Sequence, residues 1–136
     1  LGGNRIGDDG AKLLVESPIF SKLQWLELGG NDLGPEGIRA IARSTTLKKL
    51  KTLNVYRNLI KDEGAKFFAK ENCLSQLEEL DFAQNEIGDA GLLALAVSKA
   101  FPSLVAFYMD NNFASAEAKE DAKGCPNFLK LDSLNL

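Results

Sequence analysis

Apolar residues in this chain recur on a fixed ruler. In the stretch LQWLELGGNDL, leucines stand at 23, 26, 28 and 33 and an asparagine at 31. The frame returns as Leu50, Leu53, Val55, Asn58 and Ile60, and again as Leu77, Leu80, Phe82, Asn85 and Ile87. A further copy carries Leu104, Phe107, Met109 and Asn112, and a last one opens with Leu131, Leu134 and Leu136. The asparagines Asn4, Asn31, Asn58, Asn85 and Asn112 are separated by 27 residues at every step. A constant period of this size marks a stacked array, in which each unit buries its apolar face only against its neighbours.

Inside each period the rhythm changes. The first residues alternate apolar and polar, the period-2 sign of a strand. A turn follows (LGPEG, IKDEG or IGDAG), then about ten residues with helical spacing. The inward helix faces are expected at Ile6, Ala11, Leu13 and Leu14, then Ile38, Ile41 and Ala42, then Ala65, Phe68 and Ala69, then Leu92, Leu95 and Ala96. Glycines at 10, 37, 64 and 91 sit in the first helical turn. Each costs about 1 kcal/mol of helix propensity there, so close backbone packing must offset it. A second column, Gly7, Gly34 and Gly88, is expected to supply positive φ in the turn. Acidic residues at the same point, Asp8, Asp9, Glu36, Asp62, Glu63 and Asp89, suit helix N-termini. The asparagine side chain both donates and accepts, so a buried stack of asparagines predicts a ladder joining each turn to the next. The repeat from Leu104 to Lys130 departs from the pattern. It has Ala118 in the glycine column and Lys119 and Asp121 in apolar columns, which predicts a shifted helix or an irregular end.

The spacing L-x-x-L-x-L-x-x-N-x-L resembles the leucine-rich repeat family. The period of 27 and the L-G-x-x-G-A-x-x-L-A continuation look like its ribonuclease-inhibitor-like subclass. Those repeats are also similar to the ones in Ran GTPase-activating proteins and cytosolic innate-immune receptors. The resemblance implies an α/β right-handed solenoid, a horseshoe arc with a parallel sheet on the concave side and helices on the convex side. It also implies that ligands are met by the exposed strand positions of the concave sheet. Residues 1–136 read as one array of about five repeats. Leu1, Leu28 and Leu136 share one column, and no capping segment is visible, so the chain is expected to be a piece of a longer protein. Its uncapped ends are expected to self-associate.

The inward-facing strand and strand-end positions are 25, 27, 29 and 30 and their equivalents at 27-residue steps. The one tryptophan, Trp25, and both tyrosines, Tyr56 and Tyr108, fall among them, and these are types that dominate interface hot spots. Glu27, Glu79, Asp81 and Asp110 share the surface with the single cation Arg57. Glu78 and Asp132 border it, offset in part by Lys51. The predicted partner is therefore a protein with a basic or mixed-charge surface. The outer helix face carries Lys12, Arg39, Arg43, Lys66 and Lys70, read as a solvated face, and the same columns end in Leu93 and Val97.

Composition narrows the alternatives. A net charge of −3 and a pI near 5.0 oppose a whole-molecule attraction to nucleic acid or an anionic membrane. The chain has no histidine, which removes Ser-His-Asp and Cys-His catalysis and histidine metal sites. Gly29–Asn31 lacks the GK[ST] ending of a phosphate-binding loop. No cofactor is expected, and calcium lacks its ordered ligand loop. Cys73 and Cys125 lie in different columns two repeats apart, too far for a disulfide, and are expected to be free thiols packed among apolar groups. With no glycosylation sequon, they point to an intracellular setting: a cytosolic receptor, or a bacterial effector in host cytosol. The functional expectation is a non-enzymatic protein-binding scaffold. A GTPase-activating protein of the Ran type and a purely structural spacer are the alternatives.

Overall fold

The computed structural model describes all 136 residues. Five three-residue strands, β1 (Trp25–Glu27), β2 (Thr52–Asn54), β3 (Glu79–Asp81), β4 (Ala106–Tyr108) and β5 (Ser133–Asn135), form one parallel sheet in sequence order. The register is the sequence period itself: Leu26 pairs with Leu53, Leu53 with Leu80, Leu80 with Phe107 and Phe107 with Leu134. Between the strands run α1 (Gly7–Glu16), α2 (Pro35–Ala42), α3 (Lys61–Glu71), α4 (Asp89–Val97), α5 (Ala116–Lys123) and a short α6 (Pro126–Leu129). Helices pack about 8–10 Å apart and strands about 4.8 Å apart, so a stack with one of each per repeat bends with its sheet inside. This is the α/β solenoid that the period predicts.

The core lies between the two layers. Leu53, Val55, Ile60, Ala65 and Phe68 of one repeat are wholly buried, as are Ile38, Ile41 and Ala42 of the one before. Towards the C-terminal half, phenylalanine takes over from leucine. The Phe68 ring meets Phe82 edge-on at 5.1 Å and stacks on Phe101 at 5.6 Å, and Phe107 contacts both Phe82 and Phe128. The departing repeat keeps its register. Ala118 and Ala122 are buried in the expected columns, Ser115 caps α5 by accepting from the Ala118 N–H, and Phe128 on α6 fills the core. Its helix is therefore neither shifted nor lost; small residues and one phenylalanine replace the usual aliphatic set. Leu13 does not face inward. Its side chain is exposed, because Ala11 and Leu14 already hold the buried stripe of α1 and Leu13 points about 100° away from Leu14.

The asparagine column is the predicted ladder. Asn58 Oδ1 accepts from the N–H groups of Asn31 (3.0 Å) and Leu33 (2.9 Å) in the preceding repeat. Its Nδ2 donates back to Leu28 O and to Val55 O of its own turn. Asn31 accepts from Asn4 and Ile6, and Asn112 accepts from Asn85 and Ile87. Asn85 donates to Val55 O, Phe82 O and Ala83 O.

The second glycine column behaves differently from expectation. Gly7 has φ 66, but Gly34 and Gly88 are extended, with φ −104 and −96. At those two positions a carboxylate of the preceding repeat packs close against the glycine, while Ser115 in the same column makes the equivalent bond to Asp89 with a side chain present. Asp8 Oδ1 accepts from the Gly34 N–H at 2.7 Å, and Asp62 Oδ1 accepts from both Gly88 and Gly91. A Cβ on Gly88 would lie 3.2 Å from Asp62 Oδ2, and one on Gly91 2.7 Å from Oδ1 and 2.6 Å from Ile87 Cγ2. The acids thus cap the helix of the next repeat rather than their own. Where that column holds Pro35, no carboxylate is offered to the following turn. Lys61 there takes left-handed backbone (φ 59) and donates its N–H forward to Asn85 O. Every turn N–H of this column is satisfied, by one route or the other.

Asn58→Ala removes two acceptor bonds and three donor bonds from a buried side chain. It is expected to cost about 1–3 kcal/mol, at the upper end because several backbone groups are orphaned together. Urea denaturation checks this, and a neutral result contradicts the ladder.

Candidate protein-binding face

The buried residues Leu26, Leu53, Leu80 and Phe107 turn one face of the sheet to the helices, and the alternation of strand side chains sends their neighbours to the other. Trp25, Glu27, Glu79, Asp81 and Tyr108 therefore share the helix-free face, with Glu79 opposite Ala106 and Asp81 opposite Tyr108 in register. Tyr56 and Asp110 continue it two residues beyond Asn54 and Tyr108. Trp25 is 68% exposed and walls an apolar hollow of about 370 Å³ with Phe20, Leu23 and Leu26. Ala83 and Ala106, nearly buried, form a low floor among these larger groups.

Arg57 is placed apart from them. It lies past the end of β2 in left-handed backbone (φ 56) and lines a shallow groove on the turn side with Gln84 and Asn111. The strand is only three residues long, so position 30 and its equivalents belong to the turn. Its counterparts Gly3, Gly30, Gln84 and Asn111 all have positive φ as well. Arg57 thus sits on the rim of the face rather than on the sheet.

The column of Glu27, Asn54 and Asp81 has a structural role as well. Glu27 Oε1 accepts from Gly29 N–H at 2.6 Å, Asn54 Oδ1 from Tyr56 N–H at 2.8 Å and Asp81 Oδ1 from Ala83 N–H at 2.9 Å. Each side chain pins the backbone two residues on, at the point where the strand ends. The signal was present in the sequence as a run of acceptor side chains two residues before the turn. Gly29 accommodates this arrangement, since a Cβ there would meet Glu27 Oε1 at 2.8 Å and Tyr56 O at 3.2 Å.

Electrostatically the face is under repulsion. None of Glu27, Glu79, Asp81 and Asp110 has an ion-pair partner; the pairs are Arg5–Asp32, Arg39–Glu71 and Lys123–Glu120. Burial pushes the Asp81 carboxyl above its ordinary value, the bond from Ala83 opposes that, and the charges of Asp110, Glu27 and Glu79 add to the rise. The outer helix face is different. Arg39 lies over the Phe67 ring and forks onto both Glu71 oxygens at 2.7 and 3.0 Å, which raises its own pKa and lowers that of Glu71. Leu93 is half-buried and Val97 exposed. Both cysteines are free, but Cys73 is exposed rather than packed away; only Cys125 rests against the core. No helix is long and apolar enough to cross a membrane.

The architecture and the ladder define a solenoid of strand–turn–helix repeats. A family model described as Leucine Rich repeat matches residues 1–15, 21–42, 46–69 and 74–96, more than half of the sequence. The chain belongs to the leucine-rich repeat family, whose domains generally mediate protein–protein interaction. Among solved structures, an internalin from Listeria monocytogenes strain 4b F2365 is similar, with a TM-score of 0.59 and 24% identity. The match covers 90% of this chain and 31% of the internalin chain, and it supports the fold. No curated protein matches.

Asp81→Asn separates the structural bond from the charge, because Asn54 already makes the same bond one repeat earlier. The folded-state pKa of Asp81 is raised, so its contribution to stability is fully present below its unfolded value and is lost as pH rises through the folded one. The variant is expected to melt no lower than the parent at neutral pH. Its advantage should vanish on acidification below the ordinary carboxylate range. Thermal melts across a pH series read this, and a large loss of stability at neutral pH contradicts it.

Proposed function

We propose that the helix-free face of the sheet binds a partner protein bearing a basic or mixed-charge surface. One observation carries this reading: Trp25, Tyr56 and Tyr108 lie on the same face as four carboxylates with no cation of their own. Aromatic side chains supply large contact area at low entropic cost, and uncompensated charge sets the sign of the partner. The turn bonds at Glu27 and Asp81 favour the same reading, because they hold carboxylates in fixed positions before any partner arrives. Burial is the main cause of the raised Asp81 pKa, and the charges of Asp110, Glu27 and Glu79 add to it; a cation brought against them opposes that added part. The fold of such repeats is typically a non-enzymatic interaction scaffold, and no residue here is assigned a catalytic role.

The face is also small. Five strands about 4.8 Å apart span roughly 20–24 Å, and three-residue strands with their extensions give a projected area well below the ~800 Å² per side of a standard interface. The interaction therefore rests on a few anchors, Trp25 first among them because it is the most exposed.

Trp25→Ala combined with Tyr56→Ala is expected to abolish affinity capture of the partner while leaving the melting curve nearly unchanged, since both side chains are exposed. Glu79→Lys should weaken capture at least tenfold at low salt, about 1.4 kcal/mol or more, and less at high salt. Capture should weaken as pH falls through the carboxylate range. Unchanged capture by the double variant removes the assignment. Stimulated GTP hydrolysis in a turnover assay would move the reading to the Ran type.

A further inference from the structure

The groove on the turn side is a separate surface from the sheet face. It encloses about 540 Å³, and Asn58 of the ladder forms part of its lining. One bank is the row Asp32, Leu59, Glu86 and Phe113, four residues at the same position of successive repeats, of which Asp32 is paired with Arg5. Leu59 is 45% exposed and Phe113 70%, two large apolar side chains in solvent one repeat to either side of a carboxylate. Glu86 has no ion-pair partner. The opposite bank is Arg57, Gln84 and Asn111, all in left-handed backbone. The equivalent turn is filled by glycine at Gly3 and Gly30, the residue that adopts this conformation without penalty. Repeats three to five thus carry side chains at positions where the backbone favours none.

The backbone that carries the apolar pair is also fixed in place. Leu59 N–H donates to Leu33 O and Phe113 N–H to Ile87 O, each at 2.8 Å, tying each turn to the repeat before it. A backbone already held in place lowers the ordering cost of binding. Their separation selects the shape of what they meet. Two strand spacings put Leu59 and Phe113 about 10 Å apart, with Glu86 about 5 Å from each. An α-helix presents residues i, i+4 and i+7 on one side at rises of about 6 and 10.5 Å. An extended strand presents same-face side chains every ~6.7 Å and cannot meet both anchors in step.

We propose that this groove seats one amphipathic helix of a partner protein, with apolar side chains two turns apart on Leu59 and Phe113 and a basic side chain between them at Glu86. Arg57, Gln84 and Asn111 line the other side and offer donors to the polar flank of that helix. The site goes beyond the sheet-face reading and does not depend on it.

The test uses helix-stapled synthetic peptides with leucine at i and i+7 and either lysine or glutamate at i+4, together with an extended peptide of the same composition. Binding is read by fluorescence anisotropy against the full chain. The lysine peptide is expected to bind at least tenfold tighter than the glutamate peptide. Glu86→Lys should reverse that preference, and Phe113→Ala should weaken the lysine peptide about tenfold. Gln84→Gly, which restores the residue found at Gly30, should keep or raise the melting temperature while lowering affinity. Trp25→Ala with Tyr56→Ala should leave peptide affinity unchanged. Equal binding of the two charge variants, tighter binding of the extended peptide, or no binding of any peptide overturns the proposal. Loss of peptide binding in the Trp25 and Tyr56 variant would place the peptide on the sheet face and overturn it as well.

Discussion

A chain that leaves a sheet after three residues exposes backbone N–H and C=O groups that no strand pairs, and it does so in every repeat. The asparagine ladder answers that demand, and the rest of the molecule follows from it. The side-chain oxygens of Asn31, Asn58 and Asn112 each take two N–H groups from the turn before and that of Asn85 takes one, and the amide nitrogens of these four return bonds to carbonyls of both turns. No aspartate, leucine or serine offers both donors and acceptor in that geometry. Because the bonds join equivalent atoms 25, 27 and 30 residues apart, they fix the stacking register as firmly as the sheet does. A slip by one residue would break every rung at once and turn the leucines to solvent.

Register converts sequence columns into surfaces. Residues spaced by 27 positions become neighbours at the strand spacing, so a column with no role in the core is a strip on the outside. The face with Trp25, Glu79, Asp81 and Tyr108 and the groove bank with Leu59, Glu86 and Phe113 are both strips of this kind. The strips are not free of structural duty. Glu27, Asn54 and Asp81 pin the strand ends, so their acceptor atoms are constrained by the turn, while the acidic charge of two of them is not. Asn54 performs the bond without charge. The carboxylates at 27 and 81 thus exceed what that bond requires, and burial, with the neighbouring charges adding to it, raises the Asp81 pKa.

Much of this was legible in the sequence, because a repeat restates each rule several times. The period, the alternation of strand positions and the asparagine column led directly to the sheet register, the solenoid and the ladder. What escaped depended on contacts between repeats that no single repeat displays. Gly34 and Gly88 looked like turn glycines, yet they are extended and pack close against the carboxylates of Asp8 and Asp62. Arg57 counted as a face residue until the strand proved to end at Asn54. Leu13 read as core because leucine usually is, whereas its position on α1 is a column where the next helix offers no cover. The last repeat looked disrupted because its helix is polar, but Ala118, Ala122 and Phe128 were enough to hold it.

The same repetition separates stability from recognition within one chain. Gly30 and Gln84 occupy one turn position, Asn54 and Asp81 one strand end, and Lys61 and Gly88 one helix entry. In the first two pairs the backbone demand is similar and the side chains differ, whereas Lys61 and Gly88 meet the same turn with left-handed and extended backbone. Where the residue better suited to the backbone is known from a sister repeat, a departure from it costs stability. Left-handed Gln84, and the half-buried Asp81 carboxylate with other carboxylates beside it, are departures of that sort, since side chains in αL conformation and buried charge both oppose folding. They gather on the sheet face and the adjoining groove, whereas the pairing on the helix side, Arg39 with Glu71 over Phe67, satisfies itself. In the proposed reading, the carboxylates of the sheet face that no cation pairs are what a basic partner would meet.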